Sequence, residues 1–309
     1  MRVIFNYDRN YRTSLPSAIA LGTFDGIHTG HRKLMEELIR KKRQYGLQTL
    51  VYTFLNHPMQ MLAPDKEPPR IMLLDETIRT FADLGIDILV LNKFDEFFQQ
   101  QSPREFLDQL YENIPVKSMV IGFNFRFGYK GAGDQEFLLR ESRLKGFDLV
   151  CVPSVEQDGE VVSSTLIRKL IMDGKVEDAA RLLEQPYCIR GKVISGCGRG
   201  KNLGFPTANL SFSNRKVLPR CGVYLTKVKL KDGFYWGLTN VGTNPTFSQG
   251  SLHIETYILD FNENLYEQPM EICFINRLRG EIKYDNPLDL VHQMELDRIK
   301  AKKLIYKKP

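Results

Sequence analysis

Residues 191–209 read Gly-Lys-Val-Ile-Ser-Gly-Cys-Gly-Arg-Gly-Lys-Asn-Leu-Gly-Phe-Pro-Thr-Ala-Asn, a segment dense in glycines, cations and side-chain oxygens. Gly198, Gly200 and Gly204 let backbone amides come close to an anion, where a Cβ would obstruct. Arg199 and Lys201 supply positive charge, and Thr207 and Asn209 supply neutral oxygens of the kind a hard cation accepts. Together these residues describe a site for a nucleotide polyphosphate and its metal. No G-x-x-x-x-G-K-[ST] is present, so the segment is not a Walker A loop. A glycine-rich hairpin opening a barrel is the plainer reading of the same residues.

A second constellation, Gly22-Thr23-Phe24-Asp25-Gly26-Ile27-His28-Thr29-Gly30-His31, lies between an apolar run and an amphipathic one. A strand followed by a helix would put both imidazoles at a helix N-terminus, where anions are favoured. Gly30 allows close backbone approach, and two histidines can donate hydrogen bonds to phosphate oxygens as charge develops. Ser163-Ser164-Thr165-Leu166-Ile167-Arg168 is a weaker signal. Ser164 could cap a helix and donate to a phosphate, with Arg168 one turn on along the same face. Read alone, a plain cap beside a surface arginine fits those residues better.

The elements that must position these groups follow from periodicity. Strands are expected at Ser17–Leu21, Thr49–Phe54, Ile88–Leu91, Ser118–Gly122 and Phe147–Val152. Helices are expected at His31–Tyr45 (closed by Gly46), Asp75–Leu84, Gln135–Lys145 and, from the Ser102-Pro103-Arg104-Glu105 capping box, to about Asn113. This alternation predicts an α/β domain with a parallel sheet covered on both faces, its ligands at the carboxyl ends of the strands. Short helices at Leu166–Met172 and Val176–Leu183 precede a boundary at 185/186. From Tyr187 the runs become β-rich: Val223–Leu230, Gly237–Val241, His253–Asp260 and Met270–Ile275, with a hairpin turn at Asp232-Gly233. Asn286-Pro287 opens a last helix with Leu290, Val291 and Met294 on one face. The second domain, 186–309, is therefore expected to be a small antiparallel β-barrel with one closing helix.

With 309 residues the chain is long enough for two cores, and its net charge of +6 permits anionic small ligands while arguing weakly for nucleic acid. The five cysteines, at 151, 188, 197, 221 and 273, are odd in number and form no C-x-x-C pair. A disulfide framework and a zinc site are thus not expected, and a reducing, cytoplasmic setting is. No signal-peptide h-region and no apolar run of membrane-spanning length is present.

G-T-F-D-G-x-H-x-G-H followed by S-S-T-x-x-R resembles the nucleotidylyltransferase superfamily. Asn56-His57-Pro58, the run Gly122–Gly128 and Gly133-Asp134 narrow it, and Gly-Phe-Pro-Thr-Ala-Asn matches the riboflavin kinase signature. The chain as a whole resembles the bifunctional bacterial riboflavin kinase/FAD synthetase family, with motifs in matching order in both halves. Asn56, where proline is frequent, and Leu166, where arginine is common, depart from the pattern without removing a proposed phosphate ligand.

The resemblance implies a nucleotidylyltransferase-type, Rossmann-like domain at 1–185 that adenylylates FMN to FAD with release of pyrophosphate. It implies a kinase barrel at 186–309 that phosphorylates riboflavin with ATP and Mg²⁺. By analogy Gly22, Phe24, Asp25, His28, Gly30, His31, Asn124, Ser164 and Arg168 hold the first ATP, with Asn124 also approaching the flavin. Phe123, Phe125 and Phe127 are each better placed in the core. Gly198, Arg199, Gly200, Lys201, Gly204 and Pro206 hold the second nucleotide, Thr207 and Asn209 the metal, and Arg279 approaches the flavin. Glu255 falls on the family's catalytic glutamate, and alternation on its predicted strand turns it away from Ile254. The segment Asn240–Phe247 matches the nucleotide side. Small-molecule substrates are the implied partners, without nucleic acid or membrane and with at most weak, transient self-association. Two alternatives are a monofunctional FMN adenylyltransferase and a non-catalytic flavin- or nucleotide-binding regulator. A class I aminoacyl-tRNA synthetase would need a K-M-S-K-S-like loop that this chain lacks.

Overall fold

Strands 17–21, 48–54, 88–92 and 116–122 are almost wholly buried, which requires both faces of their sheet to be covered. The computed structural model describes residues 1–7, 11–196, 204–243, 252–284 and 286–306. It divides into two compact units, residues 1–164 and 165–309.

In the first unit six strands form one parallel sheet: β1 (Arg2–Phe5), β2 (Ser17–Leu21), β3 (Gln48–Phe54), β4 (Ile88–Asn92), β5 (Val116–Gly122) and β6 (Asp148–Val152). Their order is β1-β4-β3-β2-β5-β6. Along β2, Ile19 and Leu21 join one apolar cluster while Ala18 and Ala20 join the cluster on the other face. The helices are α1 (Thr29–Tyr45), α2 (Met59–Leu62), α3 (Leu74–Asp83), α4 (Glu96–Gln100), α5 (Pro103–Asn113) and α6 (Gln135–Lys145). Gly46 ends α1 in the left-handed conformation, and the Ser102/Glu105 capping box opens α5 as expected. A short hairpin, β7 (Glu156–Gln157) and β8 (Glu160–Val161), completes the unit. β2 stands between β3 and β5, so the chain reverses its direction of travel across the sheet there. Crevices at such a reversal, at the carboxyl ends of the strands, are where ligands bind in doubly wound sheets.

The second unit contains most of α7 (Ser164–Met172), then α8 (Val176–Leu183) and six strands: β9 (Tyr187–Ile194), β10 (Thr207–Phe212), β11 (Gly222–Lys229), β12 (Phe234–Thr243), β13 (Leu252–Ile258) and β14 (Pro269–Arg279). They close into an antiparallel barrel in the order β10-β13-β12-β11-β14-β9. Tyr224, Val228, Ile254, Ile272 and Phe274 fill it. The interior also holds three threonine hydroxyls in a chain. Thr256 Oγ1 lies 2.9 Å from Thr239 Oγ1, which lies 2.8 Å from Thr226 Oγ1. Thr226 donates to the Gly237 carbonyl at 3.1 Å. Glu177 of α8 accepts from Asn276 Nδ2 and from the Arg277 amide, fixing that helix to β14.

The last helix, α9 (Pro287–Tyr306), lies on the outer barrel surface. Ala301, Leu304 and Ile305 pack there with Val223, Leu225, Leu238 and Leu278. Leu290, Val291 and Met294 continue that stripe but are only half-buried, because the barrel surface is used mainly by the second half of the helix. One expectation is overturned. Cys188 and Cys273 are joined by a disulfide across neighbouring strands, a pairing between residues 85 apart that cysteine spacing does not reveal.

Candidate active sites

The loop leaving β2 builds the first site. Gly26 and Ile27 both have positive φ, at 94° and 40°. Such a conformation is rare for a β-branched residue, and strain of this kind concentrates at functional sites. Ile27 is fully buried, which holds the turn in place. His28 then caps α1, its Nδ1 accepting from the His31 amide at 3.4 Å. Accepting at Nδ1 leaves the proton of the neutral ring on Nε2, a donor. The His28 and His31 rings stack at 3.8 Å. A Cβ on Gly30 would stand 3.2 Å from the His28 ring, so the glycine is what lets that ring lie over the first helical turn.

Burial pushes the His28 pKa down to about 4, against the opposing pull of the Asp25 carboxylate. Burial, and then His28 itself, push His31 well below the ordinary imidazole value. Both rings are therefore neutral at pH 7. His31 Nδ1 and Thr29 Oγ1 are buried without a hydrogen-bond partner among the described residues. Unmet polar atoms of this kind at a helix N-terminus suit an anionic ligand.

The other first-half residues divide by role. The Asp25 carboxylate accepts from the Ile71 and Met72 amides at 2.9–3.1 Å, tying the loop to the start of α3. The Phe24 ring is buried against Phe81 and His31. Gly22 donates to the Tyr52 carbonyl. Ser164 Oγ donates to the Asp25 carbonyl at 2.7 Å, so it braces the loop and begins α7 itself instead of preceding it. Arg168 lies one turn on, buried, in the second unit. Asn124 follows β5 and is exposed. Phe125 and Phe127 pack on the core, but Phe123 is 47% exposed and is not a core residue, because the turn after Gly122 directs it outward. Asn56 exchanges two hydrogen bonds with Phe94, and His57 Nδ1 accepts from the Met59 amide. The motifs after β2, β3 and β5 all stand at carboxyl ends beside the reversal point.

In the second unit a single row across five strands collects the candidate site residues. Asn209 of β10 is opposite Glu255 of β13, which is opposite Asn240 of β12. Asn240 is opposite Val223 of β11, which is opposite Arg279 of β14. Ile254, Thr256 and Ile258 point into the barrel, so Glu255 points out, together with Asn209 and Asn240. The Glu255 side chain is 31% exposed, with His253 Nε2 3.9 Å from its carboxylate. The Asn209 amide lies over Gly196, where a Cβ would collide with it. Thr207 lies further along β10, opposite Tyr257, and Gly204 has a φ of 82° next to Phe205-Pro206. Gly198, Arg199, Gly200 and Lys201, with residues 244–247, lie outside the described residues.

Two sequence families match the chain: FAD synthetase over residues 11–166 and riboflavin kinase over residues 183–305. Relatives from Bacillus subtilis (strain 168) and Haemophilus influenzae, each named bifunctional riboflavin kinase/FMN adenylyltransferase, are 36% and 35% identical over 289 and 287 residues. These alignments cover 92% of this chain, and 91% and 93% of the relatives. The chain belongs to the bifunctional riboflavin kinase/FMN adenylyltransferase family. A solved structure described as a macrolide-efflux protein from Streptococcus pneumoniae superposes with a TM-score of 0.91 at 31% identity, over 98% of this chain and 99% of that one. Among the described residues here, no helix is long and apolar enough to cross a membrane.

For a riboflavin kinase/FMN adenylyltransferase the row also exposes what sequence reading missed. Arg279 is gripped by Asp297 of α9: Nε donates to both carboxylate oxygens at 2.9 and 3.1 Å, while Nη1 donates to the Gly280 carbonyl. Asp297 is 4% exposed and also accepts from Gln293. The available signal was a carboxylate standing on the apolar stripe of a helix. His253 was within a quoted segment, but its place beside Glu255 needs the strand alternation.

Proposed function

We propose that the barrel site transfers the γ-phosphoryl group of ATP to riboflavin, and that the parallel-sheet site transfers AMP from ATP to the resulting FMN. The functional division is placed at 185/186. The observation that carries the reading is the strand row Asn209–Glu255–Asn240, which sets a half-exposed carboxylate beside side-chain oxygens. Glu255 accepts the proton of the riboflavin 5′-hydroxyl as that oxygen attacks the γ-phosphorus. Thr207 and Asn209 offer two neutral oxygens, a set that fits Mg²⁺ completed by phosphate oxygens and waters. When bound, the metal supplies charge neutralisation on the phosphates. Residues 198–204 and Pro206 are assigned to the nucleotide phosphates. Arg279 is assigned to the flavin side, steadied by Asp297.

In the first site the FMN phosphate is itself the attacking group, at the α-phosphorus of ATP, and pyrophosphate leaves. No protein nucleophile is required. His28 and His31 donate to phosphate oxygens, and a bound polyanion raises their pKa values, so the rings gain positive charge where negative charge builds. Asp25 and Ser164 act by holding the loop, Gly22 and Gly30 by backbone approach, Phe24 by its backbone, and Arg168 and Asn124 by direct contact. The reading includes a cytoplasmic location and small-molecule partners.

Incubation of the whole chain with riboflavin, ATP and Mg²⁺, followed by chromatography, tests it. FMN followed by FAD is the expected result. FAD formed only from added FMN would reduce the protein to an adenylyltransferase, and flavin binding without either product would make it a regulator.

A further inference from the structure

Cys188 and Cys273 are directly opposite each other on β9 and β14, with their Cα atoms 4.0 Å apart. That separation belongs to a non-hydrogen-bonded antiparallel pair, in which facing side chains approach most closely. Their neighbours Tyr187, Ile189, Ile272 and Phe274 are buried inside the barrel, so both sulfurs sit on its outer surface, half-exposed. The ladder of a closed barrel holds this pair together. The two thiols consequently remain neighbours when the bond between them is reduced.

A third ligand stands beside them. Glu271 shares the face of β14 with Cys273, and its Oε1 is 3.6 Å from Cys273 Sγ. One ligand atom from each of Cys188, Glu271 and Cys273 lies within 4.8 Å of the others. Arg190, opposite Glu271 in the ladder, is ion-paired with it and holds that carboxylate on the same face. We propose that in the dithiol state Cys188, Cys273 and Glu271 bind a soft divalent cation of the Zn²⁺ class, and that the disulfide is the metal-free, closed form of the same site. Thiolates select soft cations and reject Mg²⁺, so the site is chemically separate from Thr207 and Asn209. Two sulfurs and one oxygen leave a fourth tetrahedral position, which the half-exposed surface opens to water.

Interconversion needs a reductant, a dithiol or a phosphine. With a phosphine, phosphorus attacks one Sγ, the S–S bond breaks and the other sulfur leaves as thiolate. Water then releases the first thiol and carries oxygen to the phosphorus, so two electrons pass from phosphorus to the sulfur pair. Zn²⁺ afterwards displaces the two thiol protons.

The test uses the full chain, oxidised or phosphine-reduced under anaerobic conditions, loaded with Zn²⁺ and desalted. Co²⁺ replaces Zn²⁺ in parallel samples to read thiolate-to-metal absorption. Reduced protein should retain about one Zn²⁺ per chain more than oxidised protein. Cys188→Ser and Cys273→Ser should each lose that metal, and Glu271→Gln should weaken binding by about tenfold or more. Cys151→Ser should leave it unchanged. Equal zinc in both redox states, or retention in both serine variants, overturns the proposal. If the variants do not fold, the oxidised-against-reduced comparison of the unaltered chain decides alone.

Discussion

The two sites of this protein are built by opposite means. His28 and His31 are brought together by one strand–turn–helix and stand three residues apart in the chain. Asn209, Glu255, Asn240 and Arg279 fall on one row only because five strands of a closed barrel share one register. The environments differ as well. The first site desolvates two imidazoles until both are neutral. The second leaves a carboxylate partly in water beside the His253 ring.

The largest expected effect breaks the comparison at the barrel. Glu255→Ala should lower FMN formation by about 10³-fold while added FMN is still converted to FAD. Kinase activity near the wild-type rate would remove Glu255 as the base. The mirror experiment is the double variant His28→Ala, His31→Ala. It should lower FAD formation from FMN by about 10²-fold and spare the kinase. FAD production persisting at full rate would remove the histidine site.

A smaller effect concerns stability. The folded His28 pKa, about 4, lies below the ordinary 6.5, so the fold favours the neutral ring. Above pH 6.5 the contribution is fully present. It is lost as pH falls from 6.5 towards 4, because the unfolded chain then takes up the proton first. The loss reaches at most about 3 kcal/mol for this ring, and His31 acts in the same direction. The single tryptophan, Trp236, lies in β12, so its fluorescence reports on the barrel. Urea titrations by circular dichroism should reveal a transition, silent in that fluorescence, that weakens with acid. The double histidine variant should lose this acid sensitivity, and an unchanged slope would contradict it. The gentlest test separates the halves at residue 185. Each soluble fragment should keep its own activity within about tenfold, and loss of both would tie the modules together.

Local signals were legible in the sequence, and register was not. The Ser102 box, Gly46, and the helices Gln135–Lys145 and Val176–Leu183 stand where capping and periodicity put them. Alternation along β13 correctly turned Glu255 away from the barrel interior. β1 and β10 were not read as strands. β1 has just four residues at a sheet edge, and Thr207–Phe212 carries polar residues whose type suggested a loop. The Asp297 grip on Arg279 and the Cys188–Cys273 pair each join residues far apart in the chain, with partners selected by tertiary packing. No spacing rule encodes such a meeting.

The threonine chain inside the barrel has a direction. Thr226 spends its only proton on the Gly237 carbonyl, so it must accept from Thr239, which must in turn accept from Thr256. The hydroxyls are therefore not interchangeable, although all three are fully buried. Thr256→Val removes the first donor and leaves every remaining proton with an acceptor. Thr239→Val cuts the relay in the middle and strands the Thr256 hydroxyl in an apolar interior, at a cost of about 1–3 kcal/mol. Urea midpoints of the two variants, read through Trp236, should rank Thr239→Val as the less stable. The reverse order would mean that the protons run the other way.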